Sequence, residues 1–356
     1  MLTTLALVLA SSAQATFIPA NLGDNQWIVE AEVAGKRGRF QIGTNFRETV
    51  ISDTFLESKP REWVFKIGDW QSVAVNVVFS NELAARGIDG FLGDNCFQNS
   101  SIAFDNVNRR LSVQSEPGNL SSWLQTDSRE VQWIPLAQND ENQPLFSCSV
   151  AGTKIVAAIT SGIQFSRVDP DIVSKASIKK LGQAKSFELD TKSDVTRDTG
   201  FLMDFSVDNV AFPPTRVDFR TAEEELDVAP IAIIPDALGD KVVLDYKNRR
   251  LGFTNLSSER YATLLWRNIF HWSVESVGDN LLVPERCRYL GRTQVTKAEV
   301  LEVGGLKASD LFKRLSTSKS FQDISSLVEL ADTRYPVIFR TSMGLNRLNI
   351  KIDRNN

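Results

Sequence analysis

Apolar and polar residues alternate along much of this chain. Trp27-Ile28-Val29-Glu30-Ala31-Glu32-Val33 sends every second side chain to one face, and Val73 to Phe79 does the same. That is the period of a half-buried strand. Phe201 to Val207 and Thr215 to Phe219 alternate likewise, and Val131 to Leu136 reads as another strand. Lys36-Arg37-Gly38-Arg39 is expected to turn a hairpin, and Gln114 to Ser122 has the composition of a linker. Helical patterns are few. Asp169-Pro170-Asp171 predicts a short helix with Pro in its first turn. Asp323 is expected to cap an amphipathic helix running to Leu330. Val337–Arg340 and Leu345–Ile352 predict a closing hairpin around Met343-Gly344. The elements predict a mainly β chain.

The alternation repeats. Val33-Ala34-Gly35, Ile42-Gly43-Thr44-Asn45 and Thr49-Val50-Ile51-Ser52 recur, without a gap, as Val150-Ala151-Gly152, Ile159-Thr160-Ser161-Gly162 and Ser166-Arg167-Val168-Asp169, displaced by 117 residues. Further on, Phe104-Asp105-Asn106-Val107-Asn108-Arg109-Arg110-Leu111 recurs as Leu244-Asp245-Tyr246-Lys247-Asn248-Arg249-Arg250-Leu251, displaced by 140. Two marks in the same order indicate a duplicated unit, with 23 extra residues inside the second copy.

The unit resembles one lobe of the pepsin-like and retropepsin-like aspartic proteases. Those lobes carry an apolar-Asp-Thr/Ser-Gly loop, then an apolar-apolar-Gly segment, then a strand with Asp followed by a polar turn. Asp89-Gly90-Phe91-Leu92-Gly93 and Phe104 to Val113 match the second and third marks; Ile231-Ala232-Ile233, without the Gly, and Leu244 to Phe253 stand in the second copy. The resemblance covers roughly residues 27–255. It implies two tandem β lobes facing each other across a pseudo-two-fold axis.

The catalytic loop departs from that pattern. Where the family has Asp, the first copy has Gly43 and the second has Thr160. The family's chemistry shares one proton between two carboxylates, one acting as base on water and one as acid on the carbonyl. Gly has no side chain, and a Thr hydroxyl does not take a proton from water near neutral pH. Thr44 and Ser161 are kept, and the resemblance implies that they brace the two loops against each other; as bare sequence they read equally as turn hydroxyls. Gly43 and Thr160 are expected to meet at the base of the cleft. Gly43, Thr44, Asn45, Thr160, Ser161 and Gly162 are therefore the candidate cleft residues, with no catalytic residue among them.

A chain of 356 residues leads one to expect two or three domains. The expected division is a signal peptide over 1–15, a first lobe over 16–115, a linker and second lobe over 116–256, and a third domain over 257–356. A 42% apolar, 24% charged composition is globular, and a net charge of −4 with no basic stripe argues against nucleic acid as partner. Leu5 to Ala10 forms a short apolar core before Ala13-Gln14-Ala15, a small-x-small cleavage site, so export is expected. The first four residues lack Lys or Arg, which leaves a buried N-terminal strand or a wrongly chosen start codon as the alternative. No other apolar run approaches the ~20 residues of a membrane helix. Cys96, Cys148 and Cys287 are odd in number, which argues against a disulfide framework, and Cys96 and Cys148 read as buried apolar side chains. The single histidine, His271, excludes a histidine-based zinc cluster and reads as packed among aromatics. Glu223-Glu224-Glu225 reads as a solvated loop, and no nucleotide or cofactor motif is present.

The third domain resembles a PDZ module. Thr296 to Leu306 with Ser309-Asp310-Leu311 is similar to its Gly-Asp, strand and Asn-Gly sequence, with Glu299 at the Asp place and Ala298 and Gly304 replacing Gly and Asn. Asn280 to Pro284 lacks the usual carboxylate-binding loop, so a working and a purely structural module are both open. Three functions follow. One is an inactive protease homologue that holds an extended peptide or protein segment between its lobes by main-chain hydrogen bonds. A second is an active endopeptidase that recruits other carboxylates, such as Glu48 or Asp89. The third is a structural scaffold whose cleft is filled by Phe46, Ile163 and Phe165.

Overall fold

The computed structural model describes residues 15–20, 26–44, 46–58, 60–74, 76–81, 83, 87–116, 118–127, 130–138, 143–163, 165–169, 171, 178–187, 194–220, 229–270, 272, 274–278, 280–283 and 298–351. The first half runs β1 (Ile18–Pro19), β2 (Ile28–Val33), β3 (Lys36–Ile42), β4 (Thr49–Ser52), β5 (Trp63–Ile67), β6 (Trp70–Ala74), β7 (Val77–Ser80), β8 (Gly90–Leu92), β9 (Ser101–Asp105) and β10 (Arg110–Gln114). Helix α1 (Gly118–Leu124) leads to β11 (Val131–Pro135), β12 (Ala137–Gln138), β13 (Pro144–Val150), β14 (Thr153–Ile159), β15 (Ser166–Val168), β16 (Ile178–Phe187), β17 (Asp194–Leu202), β18 (Phe205–Val207), β19 (Val210–Ala211), β20 (Thr215–Phe219) and β21 (Ile231–Ile233). The second half closes with α2 (Pro235–Leu238), β22 (Lys241–Asp245) and β23 (Arg250–Thr254). The remainder holds α3 (Ser258–Phe270), β24 (Glu275–Val277), β25 (Asn280–Leu282), β26 (Glu299–Val303), β27 (Leu306–Lys307), α4 (Ala308–Thr317), α5 (Phe321–Asp332), β28 (Arg334–Thr341) and β29 (Gly344–Lys351).

The chain is mainly β, and its duplication is visible strand by strand. The first lobe's sheet has the order β6-β5-β2-β3-β8-β4-β7. The second lobe's has the corresponding order β19-β18-β13-β14-β21-β15-β20, extended at its end by β17 and β16. That added hairpin holds the 23 extra residues of the second copy; it has no counterpart in the first lobe. The lobes are joined by a third sheet, β1-β10-β9-β22-β23-β11, in which β9 of one half pairs antiparallel with β22 of the other. Helix α1 covers this seam, packing Leu120 and Leu124 on Ala103 and Val243.

Local chemistry repeats with the topology. Ala34 and Ala151 both take a left-handed φ, 49° and 48°, in the two-residue turns that close the first hairpin of each lobe. Asp105 Oδ1 accepts from the Asn108 amide at 3.0 Å, and Asp245 Oδ1 from that of Asn248 at 3.1 Å. Arg110 Nε reaches Asp105 at 2.7 Å and Arg250 Nε reaches Asp245 at 2.9 Å. The repeated Asp-x-x-Asn-x-Arg run is thus a carboxylate that ties its own turn.

The C-terminal unit is a β24-β25-β26-β28-β29 sheet with α4 and α5. Its core includes Ala262, Leu265, Trp266, Ile269 and Phe270 of α3 together with Phe201 and Met203 of the second lobe, so the unit is docked there. Asp236 of α2 fastens the joint. Arg260 and Arg267 of α3 and Arg109 of the first half all bond its carboxylate. Burial alone would raise its pKa, but the three guanidinium groups outweigh this and hold it well below the usual carboxylate range.

Several sequence expectations need correcting. The first hairpin turns at Ala34-Gly35, and Lys36 to Arg39 lie in β3, because Gly35 supplies the left-handed φ of 84°. Val73 to Phe79 splits into the end of β6 and the start of β7, and Phe201 to Val207 breaks at Asp204, whose φ is 51°. The expected linker contains α1. Ser320, not Asp323, caps α5; Asp323 is the third helical residue and closes the capping box. Helices α3 and α4 were not expected from the pattern. Cys96 and Cys148 are buried, as expected. The helix start at Asp169 to Val173 falls mostly outside the described residues, as do the 1–14 stretch, Asn45, Glu223 to Glu225, His271 and Cys287.

Candidate functional site

Each lobe delivers its loop from a strand that runs parallel to a wholly buried one. β3 pairs with β8 and β14 with β21 in equivalent register. The ladder continues one residue into the loop: Gly43 N donates to Leu92 O at 2.9 Å, and Thr160 N to Ile233 O at 2.9 Å. Hydroxyls pin the crossing point from below. Thr49 Oγ1 accepts from Gly93 N at 3.1 Å, and Ser166 Oγ from Ile234 N at 3.2 Å. Thr49 and Ser166 stand at the same offset as the loops, so the repeat itself carried the signal for this role.

The two loops meet and exchange hydrogen bonds. Ser161 N donates to Thr44 Oγ1 at 2.9 Å, and Thr44 N donates to Ser161 Oγ at 3.1 Å. Each hydroxyl also reaches the strand end of the opposite lobe: Ser161 Oγ donates to Ile42 O at 2.8 Å, and Thr44 Oγ1 lies 3.4 Å from Ile159 O. Thr44 and Ser161 are buried, so each bond replaces a hydration that the folded state denies. The brace implied by the resemblance is present in both directions. Gln41 adds a bond that the sequence did not suggest: its Nε2 donates to Gly162 O at 3.0 Å across the lobe boundary. The structure thereby brings Gly43, Thr44, Thr160, Ser161 and Gly162 together at the lobe boundary.

The floor above the brace is closed by Phe46. A Cβ on Gly43 would lie 2.8 Å from Phe46 Cδ2, and one on Gly162 would lie 2.1 Å from Phe46 Cε2. One ring therefore spans both loops, backed by Phe91 with ring centroids 5.7 Å apart. Thr160 is fully buried, and its hydroxyl has no hydrogen-bond partner among the described residues. The other two expected plugs lie elsewhere. Ile163 belongs to the main core. Phe165 sits under the Arg216 guanidinium at 4.0 Å and lines a cavity of about 20 Å³ that Leu264, Arg267 and Asn268 of α3 also line.

Neither carboxylate expected as a replacement lies within the two loops. Asp89 Oδ2 accepts from Arg39 N at 2.8 Å. Arg39 lies four residues before Gly43 on β3, roughly 13 Å along a strand. Glu48 is exposed. Asp94 is buried and accepts from the Tyr246 hydroxyl, whose pKa burial pushes well above its ordinary value. Among the described residues, the hydrogen bonds of the two loops join hydroxyl, amide and backbone groups, and none ends on a carboxylate. Such an arrangement holds two lobes together. Burial pushes the Cys96 thiol up to about 12, which leaves it without nucleophilic character. Among the described residues no cluster of three His, Cys, Asp or Glu side chains could hold a metal. No described helix is long and apolar enough to cross a membrane.

No protein-family model matches the sequence, and no curated protein matches it. Among solved structures, the aspartic proteinase from Irpex lacteus is similar at 12% identity with a TM-score of 0.44, covering 68% of this chain and 98% of that one. The two-lobed fold rests on the chain's own internal symmetry.

Proposed function

We propose that this protein is a non-hydrolysing, exported homologue of the aspartic proteases that works by binding an extended peptide or protein segment. The observation that carries the reading is the intact Thr44–Ser161 brace beneath two positions, Gly43 and Thr160, that hold no carboxylate. A duplicated β framework supplies main chain for a bound segment, and affinity for a peptide does not need the proton-sharing pair that cleavage needs. The C-terminal sheet and its helices serve in this reading as a PDZ-like module fixed to the second lobe.

A second reading is favoured by Phe46. Its ring covers Gly43 and Gly162, so the floor is sealed and the lobes serve as a scaffold with their contacts at the rim. The two readings differ in one measurement. Mature protein is incubated with denatured casein from acid to neutral pH, with and without pepstatin, and then screened against a peptide library beside a Gly43→Trp variant. No cleavage is expected from either reading. Peptides retained by the wild type and lost by the variant support binding between the lobes, and equal retention supports the scaffold. Pepstatin-sensitive cleavage would overturn both.

A further inference from the structure

The chain is held from several sides directly after the small-x-small sequence Ala13-Gln14-Ala15. β1 pairs antiparallel with β10, Ile18 opposite Leu111 and Pro19 opposite Arg110, and Ala20 N donates to Arg109 O at 2.9 Å. The Phe17 ring lies against Trp123 of α1 with centroids 4.7 Å apart, and the Arg110 guanidinium sits 4.7 Å from the same ring centre. The turn between β5 and β6 closes over the start of the strand. A Cβ on Gly68 would lie 3.4 Å from Ile18 Cγ2, and Thr16 Oγ1 donates to Asp69 Oδ2 at 2.9 Å. β1 belongs to the sheet that joins the lobes, and β5 and β6 to the sheet of the first lobe, so Thr16 stands where the two meet.

The charges around Thr16 make Asp69 notable. Arg110 bonds Asp105 at 2.7 Å, and Lys66, at the end of β5, bonds Glu32 at 3.2 Å. Asp69 receives the neutral Thr16 hydroxyl. The Thr16 backbone nitrogen is three bonds from that hydroxyl, so it lies within about 4 Å of it whatever the rotamer. Inside a peptide bond this nitrogen is uncharged. At a chain terminus it is an ammonium with an ordinary pKa of about 8.

We propose that the Ala15–Thr16 bond is the processing site of this protein, and that the Thr16 ammonium released there pairs with Asp69 and fixes the mature N-terminus to the β5–β6 turn. The inference rests on the exported reading. A secretory signal peptidase adds water across the amide: the oxygen ends on the Ala15 carboxylate, and both protons end on the Thr16 nitrogen. Cleavage at this bond leaves Phe17 and β1 whole, and the apolar patch under α1 gives up one methyl group, that of Ala15. The pair is exposed, so its strength is modest and its role is positional; β1 and Phe17 carry the hold. The Asp69 carboxylate favours the charged amine and raises its pKa.

Two measurements test this. First, the full chain is expressed in a secreting host and the intact mass of the exported protein is read. It should begin at Thr16, and Ala15→Arg should keep the leader attached. Second, protein beginning at Thr16 is released from an N-terminal fusion partner, which makes it independent of export, and its α-amine is titrated by NMR in wild type and Asp69→Asn. The wild-type amine should titrate higher by about 0.3–0.7 pH unit, the range an exposed ion pair gives. The variant changes an exposed turn residue, so its fold is expected to persist; circular dichroism checks this. Equal titration in the two proteins would overturn the pair and leave the exported reading standing. A mature chain beginning at another residue would overturn the processing site, and a chain that stays in the cell with Met1 in place would overturn both the site and the exported reading.

Discussion

Replacing Ser161 by Ala removes one oxygen from the centre of the molecule, and the structure specifies the loss. The Ser161 hydroxyl donates to Ile42 O at 2.8 Å and accepts from Thr44 N at 3.1 Å, both across the lobe boundary. Neither partner can turn to water, because Thr44 and Ile42 are fully buried. A buried group left without its partner costs about 1–3 kcal/mol, so two such groups cost about 2–4 kcal/mol once partial relaxation is allowed. Stabilities of ordinary domains are about 5–15 kcal/mol, which makes this a large fraction. The assay is urea unfolding followed by tryptophan fluorescence and circular dichroism. With a slope of about 3 kcal/mol/M, the midpoint should fall by about 1 M at unchanged slope. Thr44→Val removes the reciprocal acceptor of Ser161 N at 2.9 Å, and the double variant should fall short of the summed losses by about 1–3 kcal/mol, since both changes empty one network. A midpoint shift below about 0.2 M for Ser161→Ala, or strict additivity in the double variant, would refute the idea that these hydroxyls hold the lobes together.

Gly43→Asp with Thr160→Asp should remain inactive on casein at acid pH, because a side chain at 43 starts 2.8 Å from the Phe46 ring; cleavage with Phe46 in place would defeat the sealed-floor reading. Gly162→Ala should destabilise by about 1–3 kcal/mol through the 2.1 Å approach to Phe46, and Phe46→Ala should relieve it in a double variant followed by thermal unfolding. Asp236→Asn should cost about 3–5 kcal/mol at neutral pH by leaving three arginines around an uncharged amide. The wild-type carboxyl has a lowered pKa, so its contribution is complete above the unfolded value near 4 and is lost as pH falls toward the folded value; the variant should have a flatter acid limb in a pH series of unfolding midpoints. Cys96 and Cys148, both pushed up to about 12 by burial, should stay silent to a disulfide reagent at pH 8 until denaturant is added.

The duplication, the mainly β character and the loop positions were legible in the chain because each is local or periodic. A strand exposes its period of two in sequence, and a repeated unit repeats its turns: Ala34-Gly35 and Ala151-Gly152 adopt the same left-handed pair because the same residues meet the same steric rule. The absence of Asp at 43 and 160 is likewise a fact of sequence. What the sequence did not disclose depended on which surfaces meet. Phe46 and Phe165 looked alike as candidates to fill a cleft, yet only the packing of one lobe on the other lays Phe46 across Gly162, while Phe165 lies with Arg216 beside α3. Gln41 is an unremarked strand residue until a second lobe offers it the Gly162 carbonyl. Helix α3 escaped the pattern because it is covered on more than one side, with Arg260 buried and Arg267 largely covered against Asp236, so its polar residues do not mark a solvent face. Periodicity records the environment of one element; contacts between residues more than a hundred positions apart are set by the tertiary fold alone.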